Sequence, residues 1–221
     1  MKRFTSVEGI TRTKDPIGRV YNTPMGSFYS VTTILGKTKD MSGLDEWRKR
    51  IGNKPADRIL KLAGLDGTCF HEMLEASLDG KEYTGIQYPI GKRLYRQAYP
   101  IAKKNVGHIY AQELYIFSKT LKLAGTVDLV ADWNGIPSII DFKSCGYLPK
   151  DDRYIKDYWI QISLYRHMIE EMYGLSCPQL VLLFSAKKVQ RAKVITCHHN
   201  KYARDTIERV KEWRLWLTEN A

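Results

Sequence analysis

The sequence predicts an α/β fold with a mixed central β-sheet flanked by helices and a helical lobe near the N-terminus. Two β-rich runs flank Asn134-Gly135, the strongest short-range signal for a two-residue hairpin turn. Apolar residues at helical spacing alternate loosely with β-rich runs along the rest of the chain, which places helices on both faces of that sheet. The stretch before the hairpin is mostly of the helical kind. One domain follows from this: a helical lobe over about 28–106, a sheet core over about 107–200 and a C-terminal helix over 201–221.

A two-residue turn fixes the register of its hairpin. Trp133 then faces Ile136, Asp132 faces Pro137, Val130 faces Ile139 and Asp128 falls opposite Asp141. Pro137 lands at a non-hydrogen-bonded position, where a missing N–H does little harm. Asp128 and Asp141 form another non-hydrogen-bonded pair, with Cβ atoms about 4.5–5.5 Å apart on one face. Like charges directly opposite destabilise a sheet, so the pair calls for a cation. Lys143 shares the face of Asp141 by the period of a strand. Two carboxylates and an amine on one spot of an apolar hairpin suit a hard divalent cation such as Mg²⁺. The lysine could then orient or help deprotonate a metal-bound water, or stabilise charge developing on a phosphate.

Residues 1–29 read as irregular, with short strand or turn pieces near Pro16 and Pro24. In the run Phe28 to Gly36, Ser30 caps a short helix stopped at Gly36; Ser30 and Thr32 could instead hold a phosphate at that helix start. Leu44, Trp47 and Ile51 share a helical face among Arg48, Lys49 and Arg50, with Trp47 assigned to the core. A second helix covers Ala56 to Ala63 and ends at Gly64. A third begins at Gly67, with Thr68 as its N-cap and Phe70, Met73, Leu74 and Ser77 as its buried stripe. His71 sits on a flanking face of that helix with Glu72 and Glu75 near it. It is either a structural histidine or a metal ligand.

Residues 89–106 read as a basic helix broken at Pro100, and Ile109–Ser118 as a strand carrying Glu113, a reserve acidic ligand assigned to the rim. After the hairpin, a polar loop precedes a helix from about Tyr154 to Tyr173, stopped at Gly174, with Gln161 and Tyr165 one turn apart. Gln179–Ser185 and Lys193–Cys197 are strands. Asn200 caps a final helix with Ile207, Val210, Trp213 and Leu217 inward.

Composition bounds the partners. The 221 residues with 43% apolar content suffice for one core, and 35 Lys+Arg against 24 Asp+Glu give a net charge of +11. Basic groups interleaved with 14 Tyr and 5 Trp suit a polyanion, most simply nucleic acid. No apolar run is long enough for a membrane span, and the start has no apolar stretch of a secretory signal. The four cysteines, Cys69, Cys145, Cys177 and Cys197, form no C-x-x-C. They read as reduced thiols of an intracellular protein, against a zinc ribbon and with little support for an iron–sulfur cluster.

The order Gly67-Thr-x-x-His71, Gly125-Thr-x-Asp128, Asp141-Phe-Lys143 and Gln161-x-x-x-Tyr165 resembles the PD-(D/E)XK nuclease superfamily. Within it the pattern resembles the RecB-like exonuclease branch. With the Ser-Val-Thr-Thr-Ile-Leu run and Trp47, it looks most like the mitochondrial genome maintenance exonuclease and its phage relatives. The resemblance covers roughly residues 28–186. It implies a restriction-endonuclease-like core and Mg²⁺- or Mn²⁺-dependent phosphodiester hydrolysis with one or two ions. His71, Asp128 and Asp141 would be ligands, with the Phe142 carbonyl a further one, and Lys143 the catalytic lysine. Gln161 and Tyr165 would support the site or contact the strand. The implied partner is DNA, single-stranded or with free ends, alongside recombination or replication proteins. Some relatives hold an iron–sulfur cluster on one early and three clustered late cysteines, a pattern the scattered cysteines here depart from. Two rivals remain: a structure-selective endonuclease on the same core, and a non-catalytic nucleic-acid-binding protein.

Overall fold

The computed structural model describes residues 3–220. Its centre is a mixed sheet of eight strands: β1 Thr11–Lys14, β2 Arg19–Thr23, β3 Gly26–Ser30, β4 Val106–Ser118, β5 Leu123–Trp133, β6 Ile136–Cys145, β7 Gln179–Ala186 and β8 Lys193–His198. The helices are α1 Val31–Thr38, α2 Ser42–Ile51, α3 Asn53–Leu78, α4 Pro89–Asn105, α5 Lys156–Tyr173 and α6 Ala203–Asn220, and a single 3₁₀ turn, Asp152–Ile155, leads into α5. The α/β architecture is the one the sequence predicts. No helix among the described residues is long and apolar enough to cross a membrane.

The order β1-β2-β3-β5-β6-β7-β8 runs across the sheet, with β4 paired to β5 off that path. Most neighbours are antiparallel; β3–β5 and β6–β7 are parallel. Both faces are covered, as a sheet with near-continuous apolar strands requires. On one face α1, α5 and α6 contribute Ile34, Trp159, Ile162, Met168, Val210 and Trp213. On the other, α3 and α4 contribute Phe70, Leu74, Leu94, Ala98 and Ala102 against Trp133, Ile140 and Phe142. The Asn134-Gly135 turn has φ of 54° and 80°, the two left-handed residues of a type I′ turn, and the ladder beyond it has the predicted register.

Several expectations fail for identifiable reasons. Residues 11–30 hold three strands rather than irregular chain; the pieces are short and β1 is exposed throughout, so no alternating pattern marks it. Helix α1 passes through Gly36 to Thr38, because Ile34 and Leu35 are buried and carry the turn across the glycine. The two helices assigned to 56–63 and 67 onward are one helix of 26 residues. Gly64 and Gly67 lie inside it and Thr68 caps nothing. Gly67 is there for close approach: a Cβ would stand 3.2 Å from Ser144 Oγ at the end of β6. Trp47 is half-buried and α2 buries no residue, so Trp47 is not core. Pro100 does not break α4, because it lies on the exposed face where the unpaired carbonyl reaches water. Asn200 belongs to a turn preceding α6, and Ile207 is 58% exposed while Val210 and Trp213 are buried.

Helix α4 meets α3 at Gly91, where a Cβ would come within 2.8 Å of the Asp66 carbonyl oxygen and of Cys69 Cβ. Neither backbone nor Cβ can swing aside. Gly91→Ala should therefore destabilise the protein by about 1–3 kcal/mol, the usual cost of overpacking. Urea unfolding measures it; an unchanged midpoint would refute the contact.

Candidate active site

The site begins with the edge of β5. Strand β4 runs along one edge of β5 for nearly its whole length, from Val106–Trp133 to Ser118–Leu123. The other edge is shared: β3 pairs at Leu123 and Ala124, and β6 pairs from Leu129 to Trp133. Residues 125–128 are left without a strand on that side. The ladder stops at Leu129–Ile140, one step short of the aspartates, so Asp128 and Asp141 do not form the closing cross-strand pair that the turn register implies. Asp128 instead accepts a hydrogen bond from the Phe142 N–H at 2.9 Å, replacing the strand bond lost there. The face alternation of β5 also breaks at this residue. Val127 packs in the α5 core and Leu129 in the α3 core.

On the β4 side the pairs Gln112–Leu129 and Leu114–Val127 put Glu113 at the position facing Asp128. Its φ of 46° is unusual for a residue with a side chain. This turn of the backbone brings Glu113 into the cleft. His71, Glu113 and Asp128 each offer a ligand atom within 4.8 Å of the others. His71 Nδ1 is 3.4 Å from Asp128 Oδ2. Glu113 is therefore part of the acidic cluster while remaining exposed, in the rim position the sequence reading gave it; its backbone conformation, which no pattern encodes, brings it there.

Asp141 and Lys143 stand on the α5 side. Lys143 Nζ lies 2.6 Å from Asp141 Oδ2 and donates to Gln161 Oε1 at 3.0 Å, over the ring of Tyr158 at 4.6 Å. Gln161 Nε2 donates to Asp141 Oδ1 and to the Tyr165 hydroxyl, both at 3.2 Å. Gln161 thus ties lysine, aspartate and tyrosine together. Gly125 makes room for this packing, since a Cβ there would lie 2.5 Å from the Tyr165 ring. Thr126 is held by the Tyr21 hydroxyl at 2.8 Å.

All of these groups line one cleft of about 730 Å³. It also takes in Phe142, whose carbonyl the resemblance implies as a further ligand and whose N–H is donated to Asp128. Glu72 and Glu75 line it outside the three-residue cluster, and Glu72 accepts from the Tyr83 hydroxyl at 2.9 Å. Ser30 is 1% exposed and spends its hydroxyl on the α1 cap, accepting from Thr33 N–H at 3.0 Å, while Thr32 is open to the cleft.

The carboxylates repel one another. Burial, then Asp128, Glu75 and Asp141, push Glu113 up to about 8. Burial raises Asp141 to about 6, against the pull of Lys143. Burial alone would lower Lys143, but Asp141 and Asp128 outweigh it and hold the ammonium charged. Asp141 Oδ2 is buried against the Lys143 ammonium. A hard divalent cation fits this donor set of carboxylate oxygens and one imidazole.

No family model matches the sequence, and no curated protein matches it. The crystal structure of SSO0001 aligns over 79% of this chain and 74% of that chain at 13% identity and a TM-score of 0.37, too weak a likeness to bear on the site.

The raised carboxyls set a pH dependence for the metal-free protein. The folded state holds protons on Glu113 and Asp141 more tightly than the unfolded chain, so stability falls as pH rises from the ordinary carboxylate range through about 6 for Asp141 and about 8 for Glu113. In EDTA, the urea midpoint should drop across this window, and Glu113→Gln should flatten the upper part above about pH 6. The same slope in both proteins would remove Glu113 from the cluster.

Proposed function

We propose that this protein is a metal-dependent DNA exonuclease, acting on single strands or free ends by hydrolysis of phosphodiester bonds. The observation that carries the reading is the convergence on one cleft of His71, Glu113, Asp128, Asp141 and Lys143, drawn from α3, β4, β5 and β6. The separated motifs of the sequence meet there in the order that resembles the PD-(D/E)XK nucleases. The +11 charge supports a polyanionic substrate.

His71, Glu113, Asp128 and Asp141 are the groups that would hold the cation. A bound Mg²⁺ or Mn²⁺ would supply Lewis-acid polarisation of the scissile phosphate and acidify the attacking water. The remaining work belongs to side chains. Lys143, fixed by Asp141, Gln161 and the Tyr158 ring, directs its ammonium N–H groups at the water and at the charge growing on the phosphate. In the metal-free protein Asp141 and Asp128 hold it as the ammonium, a donor and a charge. Gln161 and Tyr165 keep it there, with Gly125 seating the Tyr165 ring. The water oxygen bonds to phosphorus as the bond to the 3′ oxygen breaks. That oxygen takes a proton, leaving a 5′-phosphate and a 3′-hydroxyl.

The α2–α3 lobe adds a strand path. Exposed Lys54, Arg58 and Lys61 share α3 with the exposed Ile59 and Leu60, and Trp47 of α2 is half-buried, so charge for a backbone and apolar surface for bases occur on one lobe.

End-labelled single-stranded, duplex and circular single-stranded DNA incubated with Mg²⁺, Mn²⁺ or EDTA test the reading. Linear strands should be degraded only with metal, circles spared, and Lys143→Ala should slow cleavage by roughly 10²–10³-fold. Cut circles would favour the endonuclease, and binding without cleavage in either metal would leave a nucleic-acid-binding protein.

A further inference from the structure

The β1–β2 hairpin carries a row of cations that the site described so far does not use. Its ladder pairs Arg12 with Tyr21 and Lys14 with Arg19. Opposed residues and residues two apart share a face, so these four side chains stand on one face of the hairpin. That face is turned to the cleft, because the Tyr21 hydroxyl meets Thr126, two residues before Asp128. Arg12, Arg19 and Thr32 line both the cleft and an adjoining pocket of about 500 Å³, which makes the two continuous.

The placement of Arg19 is built. Its N–H donates to Thr33 Oγ1 at 2.8 Å, and the same hydroxyl donates back to the Arg19 carbonyl at 3.2 Å. Gly18 permits that contact, since a Cβ there would be 2.4 Å from Thr33 Cγ2. Among the described residues, Arg12, Lys14 and Arg19 make no ion pair within 4 Å, and Asp15 beside them is committed to the Ile17 and Gly18 N–H groups and the Tyr29 hydroxyl. The floor of the cleft is acidic, with Glu72, Glu75, Glu113, Asp128 and Asp141. A chain of phosphates can lie beside such a floor only where cations separate the like charges. Besides Lys143, the arginine and lysine side chains that line the cleft are Arg12 and Arg19.

We infer that Arg12 and Arg19, with Thr32, form a second anion subsite that grips a phosphate neighbouring the one being cut, an inference that rests on the nuclease reading above. Guanidinium forks match phosphate oxygens in pairs, which a lysine does not. The subsite fixes how far the strand enters the cleft and so which bond reaches Lys143. The phosphate is either a terminal monophosphate or an internal phosphodiester; the chemistry is the same, and the ends of the substrate tell them apart.

The test uses full-length wild type, Arg12→Gln/Arg19→Gln and Arg12→Lys/Arg19→Lys, with thermal melts to confirm folding. Probes are single-stranded oligonucleotides bearing 5′-phosphate, 5′-hydroxyl or 3′-phosphate ends. Binding is followed by fluorescence anisotropy in EDTA and in Ca²⁺ across a salt series, and cleavage in Mg²⁺. The glutamine pair should raise KM by about 10-fold, more than it lowers kcat, and reduce the slope of log affinity against log salt by about 1–2, while the lysine pair restores the slope but only part of KM. A preference of wild type for one phosphorylated end, lost in the glutamine pair, assigns the terminal monophosphate. An equal loss on every end assigns the internal phosphodiester. Wild-type cleavage with unchanged KM and salt slope in the glutamine pair overturns the subsite and leaves the nuclease reading standing. If wild type cleaves nothing with any metal, the nuclease reading falls, and an unchanged salt slope would then overturn the subsite as well.

Discussion

Strand β5 has one free edge and two claimants for it. Strand β3 takes the first two residues and β6 the last five, and the four between them, Gly125 to Asp128, have no strand to bond. Backbone groups deprived of a ladder partner must be answered by side chains or water. Here the Phe142 N–H of β6 finds the Asp128 carboxylate, while the Tyr21 hydroxyl reaches the Thr126 side chain and the Tyr165 ring is laid against Gly125. The cleft exists because the sheet parts at this place.

Charge is distributed around the opening in a consistent way. Carboxylates converge from β4, β5 and β6, and one ammonium is locked among them by Asp141 and Gln161. Burial first, and the neighbouring carboxylates after it, make Glu113 and Asp141 cling to protons. Such a cluster opposes folding unless something offsets the repulsion, and groups retained against stability are the mark of a site serving chemistry.

What the sequence made legible was local. A two-residue turn dictates its register, so the pairing from Trp133–Ile136 to Leu129–Ile140 followed from Asn134-Gly135 alone. The α5 segment was equally plain, since Gly174 stops it in the left-handed conformation. The failures were of two kinds. Gly64, Gly67 and Pro100 carry turn signals that tertiary contacts override, so one long helix was read as two and α4 as broken. Glu113 and the cations of β1 and β2 depend on backbone shape and on strands too short to show a period. Of the cleft residues, His71, Asp128, Asp141 and Lys143 were accessible because their motifs are compact; Glu113 was legible only as a reserve ligand, because its position is set by a partner strand.

The unbroken helix α3 carries a mechanical consequence. Its 26 residues measure about 39 Å at 1.5 Å each, and they have His71 toward one end and the exposed turns beside α2 at the other. Between them, Gly91 presses on Asp66 and Cys69, and Asp66 is tied to Lys187 at 2.9 Å. A single hydrogen-bonded rod thus carries both the exposed outer turns and His71, pinned to α4 at Gly91 and to Lys187 through Asp66, so the imidazole takes its place from the seating of the whole helix.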